Sequence, residues 1–346
     1  MLTFDVAMPF ALFGLTLAAL LLTRRVEGKL KTNFEEREFR TRDAILLVVM
    51  ISVAVSVIVF IPQMAILAVF LFSYSALLFT FSFFFSGIRR RSAQVFFVGI
   101  GLAGLAAGVV ALFGVFPDGL IMFYGGLAAL GLAACAFIAA LYEQVRASEA
   151  KSRWYLATLP PVLFLIVYFL YMFEPIPLVS LVLLDASGIV FAVLITLYLS
   201  SLFSWRSVFI FAVLLTVMDI ILVLVTGFMV TAATHVAGLG LPVLISLPTV
   251  PLIVTSEGIR FLSLGLGDFF FAGTLATQTY KKFGKRIAIL SAVSMTVSFG
   301  AFEAFLLSTE YGAFPGTLMI IPGWLLVVAW KLVAERKTKN VSVMGN

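Results

Sequence analysis

Residues Arg206 to Gly227 read RSVFIFAVLLTVMDIILVLVTG, an apolar run that holds a single charged group, Asp219, between its flanking arginine and glycine. About 20 helical residues cross a hydrocarbon layer ~30 Å thick. Inside that layer every backbone N–H and C=O must find its partner within the segment. The run therefore predicts a transmembrane helix with an acid at membrane depth. The remainder of the chain has the same character: 346 residues, 62% hydrophobic, only 12% charged, with a mean hydropathy of +1.17. Soluble domains average roughly half apolar and a quarter charged. The expected fold is an all-α polytopic transmembrane helix bundle of about nine to eleven spans.

Composition also limits the chemistry. With one cysteine, Cys135, and one histidine, His235, a disulfide scaffold, a His/Cys zinc centre and a histidine-based hydrolase are all excluded. Carboxylates, hydroxyls and backbone remain. The net charge of +6 would suggest nucleic acid in a soluble chain, but here it is a topological signal. No nucleic-acid partner and no metal are expected; the lipid bilayer is the expected surroundings.

The basic residues fall in clusters at 24–42, 89–91, 146–153, Arg206, 281–286 and 331–339, with Arg260 alone outside them. Between clusters lie apolar stretches about twice the ~20 residues needed for one crossing. Each is broken near its middle: at Pro62-Gln63, Pro117-Asp118-Gly119, Glu174-Pro175-Ile176-Pro177, His235 to Glu257, and Glu310-Tyr311-Gly312. Each stretch reads as two helices that leave one side and return to it. A first span over about Ala7 to Thr23 completes the set. The positive-inside rule then places the clusters in the cytoplasm, the N-terminus outside and the C-terminus inside. Residues Arg24 to Asp43 are expected as a solvated loop, or as a short amphipathic surface helix. Compact loops suggest a prokaryotic cell membrane.

Four acids fall inside apolar spans: Asp185, Asp219, Asp268 and Glu303. Intramembrane acids are costly and are usually functional. Asp219 follows Arg206 by thirteen residues and Asp268 precedes Lys281 by thirteen, so both lie ~20 Å from the inner side at 1.5 Å per residue. Asp185 and Glu303 come out ~26 Å from that side and suit interhelical hydrogen bonding or water gating. Two carboxyls brought close in a low dielectric cannot both ionise. Such a pair suits peptide hydrolysis, proton or cation coupling in a transporter, or a structural contact between helices.

Leu264-Gly265-Leu266-Gly267-Asp268-Phe269 resembles the G-x-G-D segment of the presenilin and signal peptide peptidase family of intramembrane aspartyl proteases. Met218-Asp219 with the following Gly227-Phe228-Met229-Val230-Thr231 resembles the other catalytic helix of that family. Pro315-Gly316-Thr317-Leu318 stands where the family carries Pro-Ala-Leu. The three elements come in the family's order and cover about Ser207 to Trp330.

The resemblance implies a presenilin-like catalytic core with Asp219 and Asp268 as the catalytic pair and no cofactor. It makes Gly265 and Gly267 close-approach positions for substrate, and places Pro315, Gly316, Thr317 and Leu318 in the segment that shapes the substrate site. It divides the chain into an N-terminal transmembrane region (1–206), a catalytic region (207–333) and a cytoplasmic tail (334–346). Two departures stand out: Met218 replaces the usual Tyr, and Gly316-Thr317 replaces Ala-Leu. With Arg206 and Lys281 inside, the Asp219 helix runs outward, as in signal peptide peptidases and opposite to presenilins. The implied substrates are transmembrane helices of type II orientation. A coupled transporter, and an inactive member that only binds membrane helices, are the alternatives. His235 is expected at an interface, and the proline-rich segment from His235 to Glu257 as a mobile gate or a plain outer connection. The oligomeric state is not readable.

Overall fold

The computed structural model describes residues 4–33, 40–65, 89–113, 119–145, 177–239, 241, 243–255, 258–309 and 313–344. The spans expected over 66–88 and about 154–173, the basic cluster at 146–153, and the breaks at Pro117-Asp118, Glu174-Pro175-Ile176 and Glu310-Tyr311-Gly312 lie outside those residues. The helices are α1 (Ala7–Asn33), α2 (Thr41–Phe60), α3 (Arg90–Phe113), α4 (Gly119–Val145), α5 (Pro177–Leu202), α6 (Trp205–Ile220), α7 (Phe228–Gly238), α8 (Leu266–Phe283), α9 (Lys285–Thr309) and α10 (Gly316–Met344). Among the described residues six helices are long and apolar enough to cross a membrane: Thr41–Phe60, Arg90–Leu112, Gly125–Glu143, Trp205–Val225, Lys285–Thr309 and Gly316–Arg336. The chain is a multi-pass α-helical membrane protein.

Two compact units form, one from Met1–Val69 with Leu184–Asn346 and the other from Phe70–Leu183. In the second, α3 and α4 pack closely because the interface is small: a side chain at Gly108 would meet Leu130 Cγ at 2.7 Å. Close approach of this kind replaces the hydrophobic drive that lipid cannot supply.

The first unit is built around α8, buried on every face from Phe269 to Thr279. Surrounding it are α1, α6, α9 and α10. Phe211 of α6 sits 6.0 and 6.4 Å from the rings of Phe270 and Phe271, and Trp324 Nε1 of α10 donates to Thr279 Oγ1 at 2.8 Å. Because α8 faces protein rather than lipid, it carries Thr274, Thr277, Gln278 and Thr279 and falls short of the hydropathy of the outer helices. Two of its hydroxyls turn inward: Thr277 donates to Gly273 O and Thr279 to Leu275 O, each at 2.7 Å, which satisfies these two without water.

Two expectations change. The stretch from Arg24 to Asn33 is a continuation of α1, not a solvated loop; its Arg, Glu, Lys and Leu residues are good helix formers. A new helix then opens at Thr41, where Asp43 accepts from the Arg40 N–H at 2.8 Å. Within His235 to Glu257, α7 runs to Gly238 and an extended strand β1 (Leu244–Pro248) follows. β1 pairs antiparallel with β4 (Phe261–Gly265), from Leu244 opposite Gly265 to Pro248 opposite Phe261. A shorter pair, β2 (Val254–Thr255) with β3 (Gly258–Ile259), lies between them.

This hairpin is tied to the bundle by one of the four acids and by another acid near the N-terminus. Asp185 of α5 accepts from the Ser246 N–H at 2.9 Å. Asp5 accepts from Ala7 and Met8 N–H, at 3.1 and 2.9 Å, to open α1, and from Val250 N–H at 2.6 Å. Replacing Asp185 with Leu is expected to speed amide exchange in Leu244–Pro248 and Phe261–Gly265 about tenfold, the equivalent of ~1.4 kcal/mol for a lost charged hydrogen bond. Asp185→Asn keeps the acceptor and the parent rate. Hydrogen–deuterium exchange in detergent checks this, and unchanged exchange in the Leu variant would show that the tie is not needed.

Candidate active site

Asp219 sits at the end of the regular part of α6. The helix opens with Ser204 and Ser207 capping each other reciprocally and stays α-helical to Ile220. The next five residues, Ile221–Val225, form a π-helical turn, and Gly227 then takes φ +68° before α7 begins. A widened turn of this kind often marks a functional position, and the left-handed backbone at 227 suits glycine. Met218, beside the acid, accepts a hydrogen bond from Ser52 Oγ of α2 at 3.1 Å. The residue that departs from the family's Tyr therefore fills an interhelical contact.

Asp268 is placed by the passage from strand to helix. β4 ends at Gly265, Leu266 N–H donates to Val243 O at 3.0 Å, and α8 starts at once. Asp268 falls in the first turn of α8, and its carboxyl takes a backbone hydrogen bond from Gly265, the residue that caps the helix. This is the return half of a capping box. A side chain at Gly265 would lie 3.4 Å from Asp268 Oδ2, whereas one at Gly267 would meet nothing within 4 Å.

The third element joins them. Pro315 is buried and its carbonyl accepts from Leu318 N–H at 3.2 Å, so that α10 opens at Gly316. The early N–H groups of a helix have no partner inside it. One of them, Thr317 N–H, donates to Asp219 Oδ2 at 3.3 Å, and Thr317 Oγ1 donates to the same oxygen at 2.7 Å. Gly316, one residue earlier, faces the other acid: a Cβ built there would be 2.5 Å from Asp268 Oδ1 and 2.6 Å from its Cγ. Both carboxyls thus lie against two consecutive residues, and each feels a helix N-terminus, where negative charge is favoured. The charge of Asp219 reaches Asp268. Asp219 is 9% exposed, and Asp268 is half-buried.

Of the residues singled out in the sequence, Asp219, Asp268, Gly265, Pro315, Gly316 and Thr317 come together here. Gly267 faces open space at the start of α8, and Leu318 is half-buried in the first turn of α10. Asp185 and Glu303 serve elsewhere: Asp185 holds β1, and Glu303, buried in α9, lies within electrostatic reach of Asp5. His235 Nδ1 lies 3.4 Å from Ile58 O, an interhelical contact. Among the described residues no group of three His, Cys, Asp or Glu side chains is arranged to hold a metal. The direct bond between Thr317 and Asp219 is not foreseen from sequence. Its only trace is a hydroxyl where the family motif carries Leu.

A protein-family model described as signal peptide peptidase matches residues 31–309. No curated protein matches the chain in sequence. The matched residues hold both acids, Asp219 on the broken helix α6 and Asp268 at the start of the buried helix α8. The chain therefore belongs to the signal peptide peptidase family of intramembrane aspartyl proteases.

Proposed function

We propose that this protein hydrolyses peptide bonds within transmembrane helices of type II orientation, using Asp219 and Asp268 as a dyad with water. The observation that supports the reading best is the meeting of both carboxyls at Gly316-Thr317. Two acids so placed share one proton. The ionised member takes a proton from water as its oxygen attacks the scissile carbonyl carbon, and the neutral member gives its proton to the carbonyl oxygen. In the second step the tetrahedral intermediate returns a proton to the latter acid, the former donates its proton to the amine nitrogen, and the C–N bond breaks. Atoms and charge balance with water as the sole co-substrate, and no metal or cofactor is required.

A helical substrate must first unwind, since its own hydrogen bonds shield the bond to be cut. Each strand of a two-stranded sheet leaves one edge unpaired, and β4 leads directly to Gly265 and Asp268. An extended substrate added to that edge gains main-chain partners as it approaches the acids. The open space at Gly267 is where its backbone passes. The orientation rests on charge: Arg206 and the 281–286 cluster inside give a cytoplasmic C-terminus, an external N-terminus and the type II preference. A prokaryotic cell membrane is the proposed location.

Purified protein in oriented vesicles is expected to cut a type II reporter helix and to leave the same helix in type I orientation intact. Asp219→Ala and Asp268→Ala are each expected to lower the rate by about 10³-fold. Absence of cutting with proton-dependent solute flux would establish a transporter instead, and capture of the helix without products would indicate an inactive binder. Glycine substitutions separate the two sides of the site. Gly316→Ala, whose methyl must displace Asp268, is expected to lower kcat about tenfold, whereas Gly267→Ala raises KM with kcat little changed; steady-state kinetics on the type II reporter reads both.

A further inference from the structure

The hydrogen bonds on the two acids are unequal, and the inequality comes from the residue at which this chain departs from its family motif. Asp219 Oδ2 accepts twice from Thr317, from N–H at 3.3 Å and from Oγ1 at 2.7 Å. Thr317 is 3% exposed, so its hydroxyl has no competing water to bond. Asp268 receives a backbone bond from Gly265, and its flank toward α10 is bare Gly316. Two donors converging on one carboxylate oxygen favour an ionised acceptor.

We propose that Thr317 is a positioning residue that fixes Asp219 as the ionised, water-activating member of the dyad, leaving the shared proton on Asp268. The inference rests on the proteolytic reading above and adds a division of labour to it. Leu, the family residue at this position, has no hydroxyl, so the assignment belongs to chains that carry Thr or Ser there. Gly316 completes the arrangement. With Thr317 drawing Asp219 onto the first turn of α10, Asp268 reaches the same turn only because residue 316 lacks a side chain; a Cβ would stand 2.5 Å from Oδ1. Within the Pro315-Gly316-Thr317 segment, Ala to Gly and Leu to Thr thus act as one change: one residue supplies a donor and its neighbour supplies room. In the reaction, Thr317 keeps its bond to Asp219 Oδ2 and leaves Oδ1 free to receive the proton from water.

Three variants test this on the type II reporter. Thr317→Val, which keeps shape and removes the hydroxyl, is expected to lower kcat about 10- to 100-fold with KM within about twofold, as a lost hydrogen bond to a charged group of ~1.5–3 kcal/mol implies. Thr317→Ser restores kcat to within about threefold of the parent; Thr317→Leu behaves as Val. Equal impairment of Ser and Val, full activity of Val, or a loss confined to KM would each overturn the proposal while leaving the proteolytic reading intact. An independent readout needs no cleavage. The carboxylate band of Asp219, isolated as the infrared difference between parent and Asp219→Ala, is expected to shift in Thr317→Val and to return in Thr317→Ser. A band unmoved by Thr317→Val shows the hydroxyl free of Asp219 and overturns the proposal, even in a preparation that cuts nothing.

Discussion

The site depends on bringing two carboxyl groups to the first turn of one helix within an apolar bundle. A lone carboxylate at membrane depth is strongly disfavoured, and two together repel. The fold answers with helix beginnings. Asp268 caps the start of α8 and Asp219 accepts from the start of α10, so backbone N–H groups that would otherwise be orphaned become the partners of the acids. Much of the surrounding architecture serves to bring those two helix starts to one point. β1 pairs with β4 and fixes where α8 begins, Asp185 and Asp5 hold the hairpin to the bundle, and Pro315 ends the preceding segment so that α10 opens against α6.

The central position of α8 follows from the same requirement. Its first turn carries an acid that needs protein, not lipid, around it, and the helix is enclosed from Phe269 to Thr279. The outer helices present large apolar side chains to the bilayer, among them Val53, Val217, Val297 and Leu326. They also carry the apolar runs that reveal a membrane protein. The helix that carries Asp268 is therefore less lipid-like than the apolar spans around it.

How much of this can be read from sequence depends on the residue. Asp219 stands out because it is one charge in a long apolar run, and a fixed helical rise turns its offset from Arg206 into a depth that matches Asp268. The glycines before Asp268 and the proline at 315 are legible as members of an ordered set. Strand β1 is not: Leu244–Pro248 is a short apolar run that composition cannot tell from a helix fragment, and its partner lies beyond a second hairpin. The π-helical turn after Asp219 has only Ile, Leu and Val to show for itself. Thr317 is the instructive case. Its place in a motif implies contact with substrate, whereas its hydroxyl is bonded to Asp219; a residue type gives a capacity for hydrogen bonding but not the partner.

The claim on which the rest stands is that both acids meet the first turn of α10. Paired cysteines test it directly, because a disulfide needs Cβ atoms about 3.5–4.5 Å apart. In a Cys135→Ala background, with the protein still in membranes, Asp268→Cys with Gly316→Cys and Asp219→Cys with Thr317→Cys are each expected to cross-link on mild oxidation. A control pair, Asp268→Cys with Leu326→Cys farther along α10, should not. Cross-linking of the control alone, or failure of either site pair under conditions that oxidise exposed thiols, would contradict the account.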